Sequence, residues 1–222
     1  MNLLNLVDGP SALIVLGGTM LATVLRCGLA DCRITLAKLA QLRRPGFDAA
    51  ATRAELAVQV QQIRQDGLLR AQPRRLGDAE LDEATDALIG SRSLGALLDR
   101  HEAHKARRLA QSERAVRTLA QAAELAPVFG LAGTLVSLSQ LPADGLARGA
   151  FTGAIGMAVV TTLYGLLTAN LLLAPLARVV ERAASAEEAA RQEVIEWLAG
   201  QVAGAIPPRR AERPRPVELE LV

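Results

Sequence analysis

The sequence predicts an all-α membrane protein: three transmembrane helices, two of them extended as cytoplasmic stalk helices, with a small helical cytoplasmic layer between them. Three observations predict it. Residues 149–177 run for 29 positions without a charged side chain, and Arg148 and Arg178 stand at either end. At ~1.5 Å per residue such a helix is about 43 Å long, more than the ~30 Å hydrocarbon core needs, so it spans with room to tilt. Residues 10–25 and 125–141 are also free of Asp, Glu, Lys, Arg and His. They reach spanning length if the first is extended to include residues 3–7 and the second begins before Pro127. Half of the residues are apolar while only 2% are aromatic, a balance that suits helix-on-helix packing rather than a sheet.

Residues 1–30 hold the first span. No basic stretch precedes it, and Arg26, Cys27 and Cys32 follow where a cleaved signal would carry small residues, so it reads as retained. The two cysteines lack two further ligands at metal spacing and read as unpaired structural thiols, with no metal or cofactor expected. Residues 31–124 form a cytoplasmic helical region. Arg43-Arg44-Pro45-Gly46 interrupts its first helix. A second helix covers residues 53–69, broken by Gly67 and Pro73, and a third runs from an N-cap at Asp78 to a stop at Gly90. From Ser93 nothing breaks the pattern before Pro127, which predicts one long helix entering the second span. Residues 125–177 form a two-span hairpin joined by residues 142–148. Residues 178–206 continue the third span as an Ala-rich charged stalk, and residues 207–222, with Pro-Pro-Arg-Arg and Arg-Pro-Arg-Pro, read as a disordered tail.

Orientation follows from the basic residues, which gather on the cytoplasmic side. Residues 31–117 carry most of the 25 Lys and Arg and the tail most of the rest, while the connection at residues 142–148 has one. The amino terminus and that connection are therefore expected outside, the middle region and the carboxyl terminus inside. A net charge of +2 without aromatic-basic interleaving gives no case for nucleic acid.

Two motifs resemble chemical sites only at first glance. His101-Glu102-Ala103-His104 is one residue short of the zincin spacing and lies among Arg100, Lys105, Arg107 and Arg108, so a solvated helix face is expected. Gly130-Leu131-Ala132-Gly133-Thr134 lacks the Lys and the preceding strand of a phosphate loop. No nucleophile, base and orienting group come together, and the chain is not expected to be an enzyme.

On a helical wheel Ala154, Ala158, Thr162, Gly165 and Ala169 fall on one stripe of the third span, with Thr161 at its edge. In the second span Pro127, Gly130, Thr134 and Ser137 make a comparable stripe. Such faces suit either close helix packing, with each hydroxyl bonded back to its own helix, or a pore wall. Because none of the spans holds an Asp, Glu, Lys, Arg or His, a proton or ion path here needs a carboxylate from a partner. Pro127 and Pro175 stand near the cytoplasmic boundary, at one expected depth, as ordinary boundary prolines or as hinges.

The runs Ala126-Pro127-Val128-Phe129-Gly130-Leu131-Ala132-Gly133-Thr134-Leu135 and Gly156-Met157-Ala158-Val159-Val160-Thr161-Thr162-Leu163-Tyr164-Gly165, followed by Pro175-Leu176-Ala177, resemble the last two membrane helices of the MotA/TolQ/ExbB proton-channel family, and of its MotA branch most. Residues 10–19 resemble that branch's second membrane helix, and Gly67-Leu68-Leu69 with Asp86-Ala87-Leu88-Ile89 fit its cytoplasmic loop. That branch's first membrane helix has no counterpart, and the three-span plan is similar to ExbB and TolQ. The resemblance implies a homopentamer in the bacterial inner membrane around a dimer of single-span partners of the MotB type, or of the ExbD/TolR type, that carries the ion-binding Asp. Thr134, Thr161 and Thr162 would line the ion pathway, and Pro127 and Pro175 would act as hinges. Gly130, Ser137, Ala154, Ala158, Gly165 and Ala169 would pack the pore. Arg92, Arg100 and Glu102 lie in the region that would touch a flagellar rotor. The function implied is a rotary stator subunit driven by ion flow, most simply of protons. The alternatives are an energiser of outer-membrane processes and a non-conducting membrane scaffold with coiled stalks; membrane lipid is a further partner in each case.

Overall fold

A computed structural model describes residues 9–67, 70, 75–139 and 148–204. The expectations for residues 3–7, for Leu68-Leu69, for most of the connection between the second and third spans and for the tail at 207–222 lie outside them. Among the described residues there are helices and no strands. We label them α1, which joins Gly9–Ala12, a π-helical stretch Leu13–Gly17 and Gly18–Gln41, α2 (Ala49–Asp66), α3 (Ala79–Ser91), α4 (Leu94–Ser139) and α5, which joins Arg148–Leu167, a π-helical stretch Thr168–Leu173 and Ala174–Ala203.

The boundaries have local causes. Asp48 caps α2 by accepting from the backbone N–H groups of Ala50 and Ala51, both at 3.0 Å, so the helix starts at Ala49, four residues before the expected Arg53. Asp78 caps α3 through Glu80 and Leu81 as the sequence predicts, and its second oxygen pairs with Arg191 at 2.8 Å. The expected stop at Gly90 is not used: Gly90 is helical, and Arg92 closes the helix in the left-handed conformation at φ 53°. The helix α4 runs 46 residues, about 69 Å, and holds Pro127 without ending there.

Among the described residues three helices are long and apolar enough to cross a membrane: α1, α4 and α5. Only 17%, 28% and 17% of their most apolar windows are buried, so most of that apolar surface faces outward, as lipid-facing surface does.

The chain divides into two compact units. The first comprises residues 1–47 and 105–190. Its α1 buries Ser11, Val15, Thr19 and Thr23 at four-residue spacings, and Thr35 beyond them, and turns Leu13, Met20, Leu21 and Leu25 outward. Gly18 lies under the ring of Phe129, where an added Cβ would fall 2.3 Å from a ring carbon. Below this contact Ala115 and Leu119 of α4 pack with Ala177 and Val180 of α5, with Leu39 and Leu173 against them. Arg108 and Glu188 form a two-bond ion pair at 2.5 and 2.8 Å.

The second unit comprises residues 48–104 and 191–222. Leu56 and Ile63 of α2, Leu81 and Leu88 of α3, Leu97 of α4 and Ile195 of α5 are buried in it. This unit corrects the expectation of a solvated histidine face: His101 and His104 are only 4% and 5% exposed. They share a stripe with Leu97 at spacings of four and three, while Arg100, Glu102 and Arg107 take other faces. His101 Nε2 lies 3.2 Å from Gln192 Oε1, and His104 Nε2 lies 3.0 Å from a Glu83 oxygen. Charged neighbours in the sequence hid an apolar-face register.

Candidate functional site

The second and third spans meet where neither carries bulk. On α4 the buried positions are Ala126, Gly130, Gly133 and Ser137, recurring every three or four residues; on α5 they are Thr161, Gly165 and Ala169. A Cβ on Gly165 would lie 2.7 Å from the Ala126 carbonyl oxygen and 3.1 Å from the Cα atoms of Gly130 and Pro127. A Cβ on Gly130 would lie 3.0 Å from the Thr161 carbonyl. The two backbones therefore touch, the contact that small residues permit in membranes.

Within this seam Thr161 is fully buried. Its methyl group occupies the space beside Gly133, and its hydroxyl donates within its own helix towards Ala158 O at 2.9 Å and Met157 O at 3.1 Å. The stripe drawn from the sequence thus separates into two. Gly130, Ser137, Gly165 and Ala169 belong to buried faces, whereas Ala154 and Ala158 are half-buried.

Ala158 lines something else. Together with Ile155, Val159, Thr162, Leu163 and Leu166 of α5 and Thr134 of α4 it borders a shallow, open groove of about 450 Å³ along α5. Among the described residues, Thr134 and Thr162 supply the side-chain oxygens of that wall. Each hydroxyl donates to its own helix, Thr134 to Leu131 O at 2.6 Å and Thr162 to Ala158 O at 3.2 Å. A hydroxyl whose hydrogen is engaged still has acceptor lone pairs. The groove wall is thus almost wholly apolar, with two engaged hydroxyls at its border. Of the three threonines singled out from the sequence, two share the groove and Thr161 does not.

The prolines are not level. Gly165 touches Pro127, and Pro175 lies ten residues further along α5, about 15 Å at helical rise. Antiparallel pairing of the two helices sets this stagger, which equal distances from charged residues do not reveal. Arg92, Arg100 and Glu102 are all exposed. Arg100 and Glu102, two positions apart, point to different sides of α4. Arg92 also has a structural role in closing α3. Sequence reasoning missed Gly133 and the Gly18–Phe129 contact; the recurrence of small residues at 126, 130, 133 and 137 was the available signal for the first.

The sequence model of the MotA/TolQ/ExbB proton channel family matches residues 76–193. Motility protein A of Aquifex aeolicus is 32% identical over 204 residues, which cover 86% of this chain and 78% of that protein. Motility protein A of Borreliella burgdorferi is 32% identical over 100 residues, 45% of this chain and only 36% of that longer protein. Among solved structures, that of C. jejuni MotAB superposes with a TM-score of 0.79 at 19% identity, covering 92% of this chain and 82% of that one. The flagellar MotAB stator complex from Bacillus subtilis gives 0.77 at 22% identity, over 91% and 81%.

Proposed function

Because this chain belongs to the MotA/TolQ/ExbB proton channel family, we propose that it is the MotA-like subunit of a flagellar stator, a ring that turns ion flow along a partner helix into torque. One observation carries the reading. The membrane segments hold no Asp, Glu, Lys, Arg or His, yet the apolar groove beside α5 is bordered by the Thr134 and Thr162 hydroxyls, whose lone pairs can accept. A proton path through the membrane needs a titratable group. The missing group is a carboxylate on a single-span partner of the MotB type, whose protonated O–H meets these acceptors.

In this reading five copies surround two partner helices in the inner membrane, with the amino terminus periplasmic and the carboxyl terminus cytoplasmic. Protonation removes the partner's charge, and the neutral carboxyl enters the groove, where an ionised one would pay heavily for desolvation. Loss of the proton on the cytoplasmic side expels it, and the ring steps to offer the next groove. Pro127 and Pro175 give α4 and α5 points at which such steps bend them. Arg92, Arg100 and Glu102 are the exposed charges assigned to the rotor.

Native mass spectrometry of the chain co-expressed with its single-span partner tests the assembly, with five copies to two expected. Restored swimming in a cell lacking its own stator tests the role. If the pair instead restores an energised outer-membrane process and never swimming, the energiser reading replaces the stator. A chain that stays monomeric with the partner present supports only a scaffold.

A further inference from the structure

We propose that Gly28 is a joint in the first membrane helix, at which the membrane part of α1, residues 9–27, and its cytoplasmic part, residues 29–41, change angle with each other while each stays packed on α4 and α5. Gly28 sits inside a run that is otherwise helical, yet its backbone is at φ 82° and ψ 159°. Only glycine enters that region without strain.

Packing does not explain the glycine. A Cβ at Gly28 would meet nothing within 4 Å, whereas at Gly18, Gly130, Gly133 and Gly165 it would collide with a neighbouring helix. Those four glycines are required for closeness; Gly28 is required for its conformation alone.

Both sides of the break are tied separately to one helix. Before it, the Cys27 thiol donates to Gln121 Oε1 at 2.8 Å and Arg26 lies 3.9 Å from Glu124. After it, Asp31 lies 3.9 Å from Arg114. The break therefore faces the stretch of α4 just before Gln121. The π-helical stretch of α5 comes to the same level of α4, since Gly165 meets Pro127 and Leu173 packs against the cluster holding Leu119. Two helices that pack on the same turns of α4 thus depart from α-geometry there, and a π-turn inside a helix is a recurrent mark of functional positions. The joint deepens the stator reading and rests on it for its purpose: it lets α4 bend below Pro127 without dragging the outward-facing α1 through the lipid.

The test uses the full chain with its partner. Leu21 and Leu36, exposed on either side of the break, are replaced by Cys for spin labels in a Cys27→Ser, Cys32→Ser background. Ser at position 27 keeps a donor for Gln121. A continuous helix would hold the two backbone positions at roughly 22 Å. The unsubstituted Gly28 protein is expected to give a broad or two-component distance distribution, and Gly28→Ala a single narrow one, with swimming at least tenfold slower and partner co-purification unchanged. Gly200→Ala, where a Cβ also meets open space and the backbone is helical, should change neither reading. A single narrow distribution already present with Gly28 overturns the joint, and this measurement stands even if the Ala protein does not assemble. Unchanged swimming beside an altered distribution overturns its use in the motor. If no version drives swimming, the stator reading fails while the distances still decide the joint.

Discussion

Gly130 and Gly165 face each other across the seam of the second and third spans, each occupying a place where a Cβ on the other would intrude: 3.4 Å from the Gly165 Cα in one direction and 3.1 Å from the Gly130 Cα in the other. The contact is backbone on backbone. It fixes which residues of α4 and α5 are enclosed and which are left to line the groove beside it.

Gly165→Ala should therefore part the two spans. Its Cβ would press on the Ala126 carbonyl at 2.7 Å, and backbone does not rotate away. Overpacking of this kind costs about 1–3 kcal/mol. The melting temperature of the detergent-solubilised protein should fall. Gly90→Ala, at a helical position with open space, should leave it unchanged or raise it, since Ala gains up to ~1 kcal/mol of helix propensity. Equal melting of both variants and the parent would remove the seam from the account.

The threonines should separate by position. Thr161→Val removes a hydroxyl that is buried and already bonded inside its own helix, at ~1 kcal/mol or less, and swimming should persist. Thr162→Val and Thr134→Val remove the groove's acceptors. An undersolvated proton donor or ion in that apolar wall raises the barrier by ~2 kcal/mol, roughly a thirtyfold slowing. Assembly with the partner should be intact in all three. The opposite order, with Thr161→Val alone inactive, would place the pathway in the seam instead.

Arg108 and Glu188 should behave as one unit. The side chains are 12% and 11% exposed and meet through two charge-assisted bonds. Arg108→Ala leaves a mostly buried carboxylate without its partner, at a cost of about 3 kcal/mol. Thermal melting should register the loss, and the double exchange Arg108→Glu with Glu188→Arg should recover a measurable part of it. A double exchange no better than the single change would mean that the pair contributes through shape rather than charge.

Orientation is checked by thiol labelling from outside the cell. A Cys at position 143 should react with a membrane-impermeant reagent, and a Cys at position 79 should react only after the cells are opened. Labelling of position 79 in intact cells would reverse the topology.

The sequence by itself determined the membrane class, the three spans, the single long helix from Ser93 through Pro127, the Asp78 cap and the absence of ionisable groups at membrane depth. Each is a property of one segment: a length without charge, a periodicity, a capping side chain. What only tertiary structure decided depends on two segments at once. Which small residues are buried, Thr161 in the seam but Thr162 in the groove, follows from the Gly130–Gly165 crossing, which fixes the rotation of both helices together. The stagger of Pro127 and Pro175 follows from antiparallel register. The burial of His101 and His104 follows from the helices that cover them, and the break at Gly28 is a backbone conformation that glycine permits but does not announce. Periodicity fixes a face only relative to its own axis; the partner helix decides what that face meets.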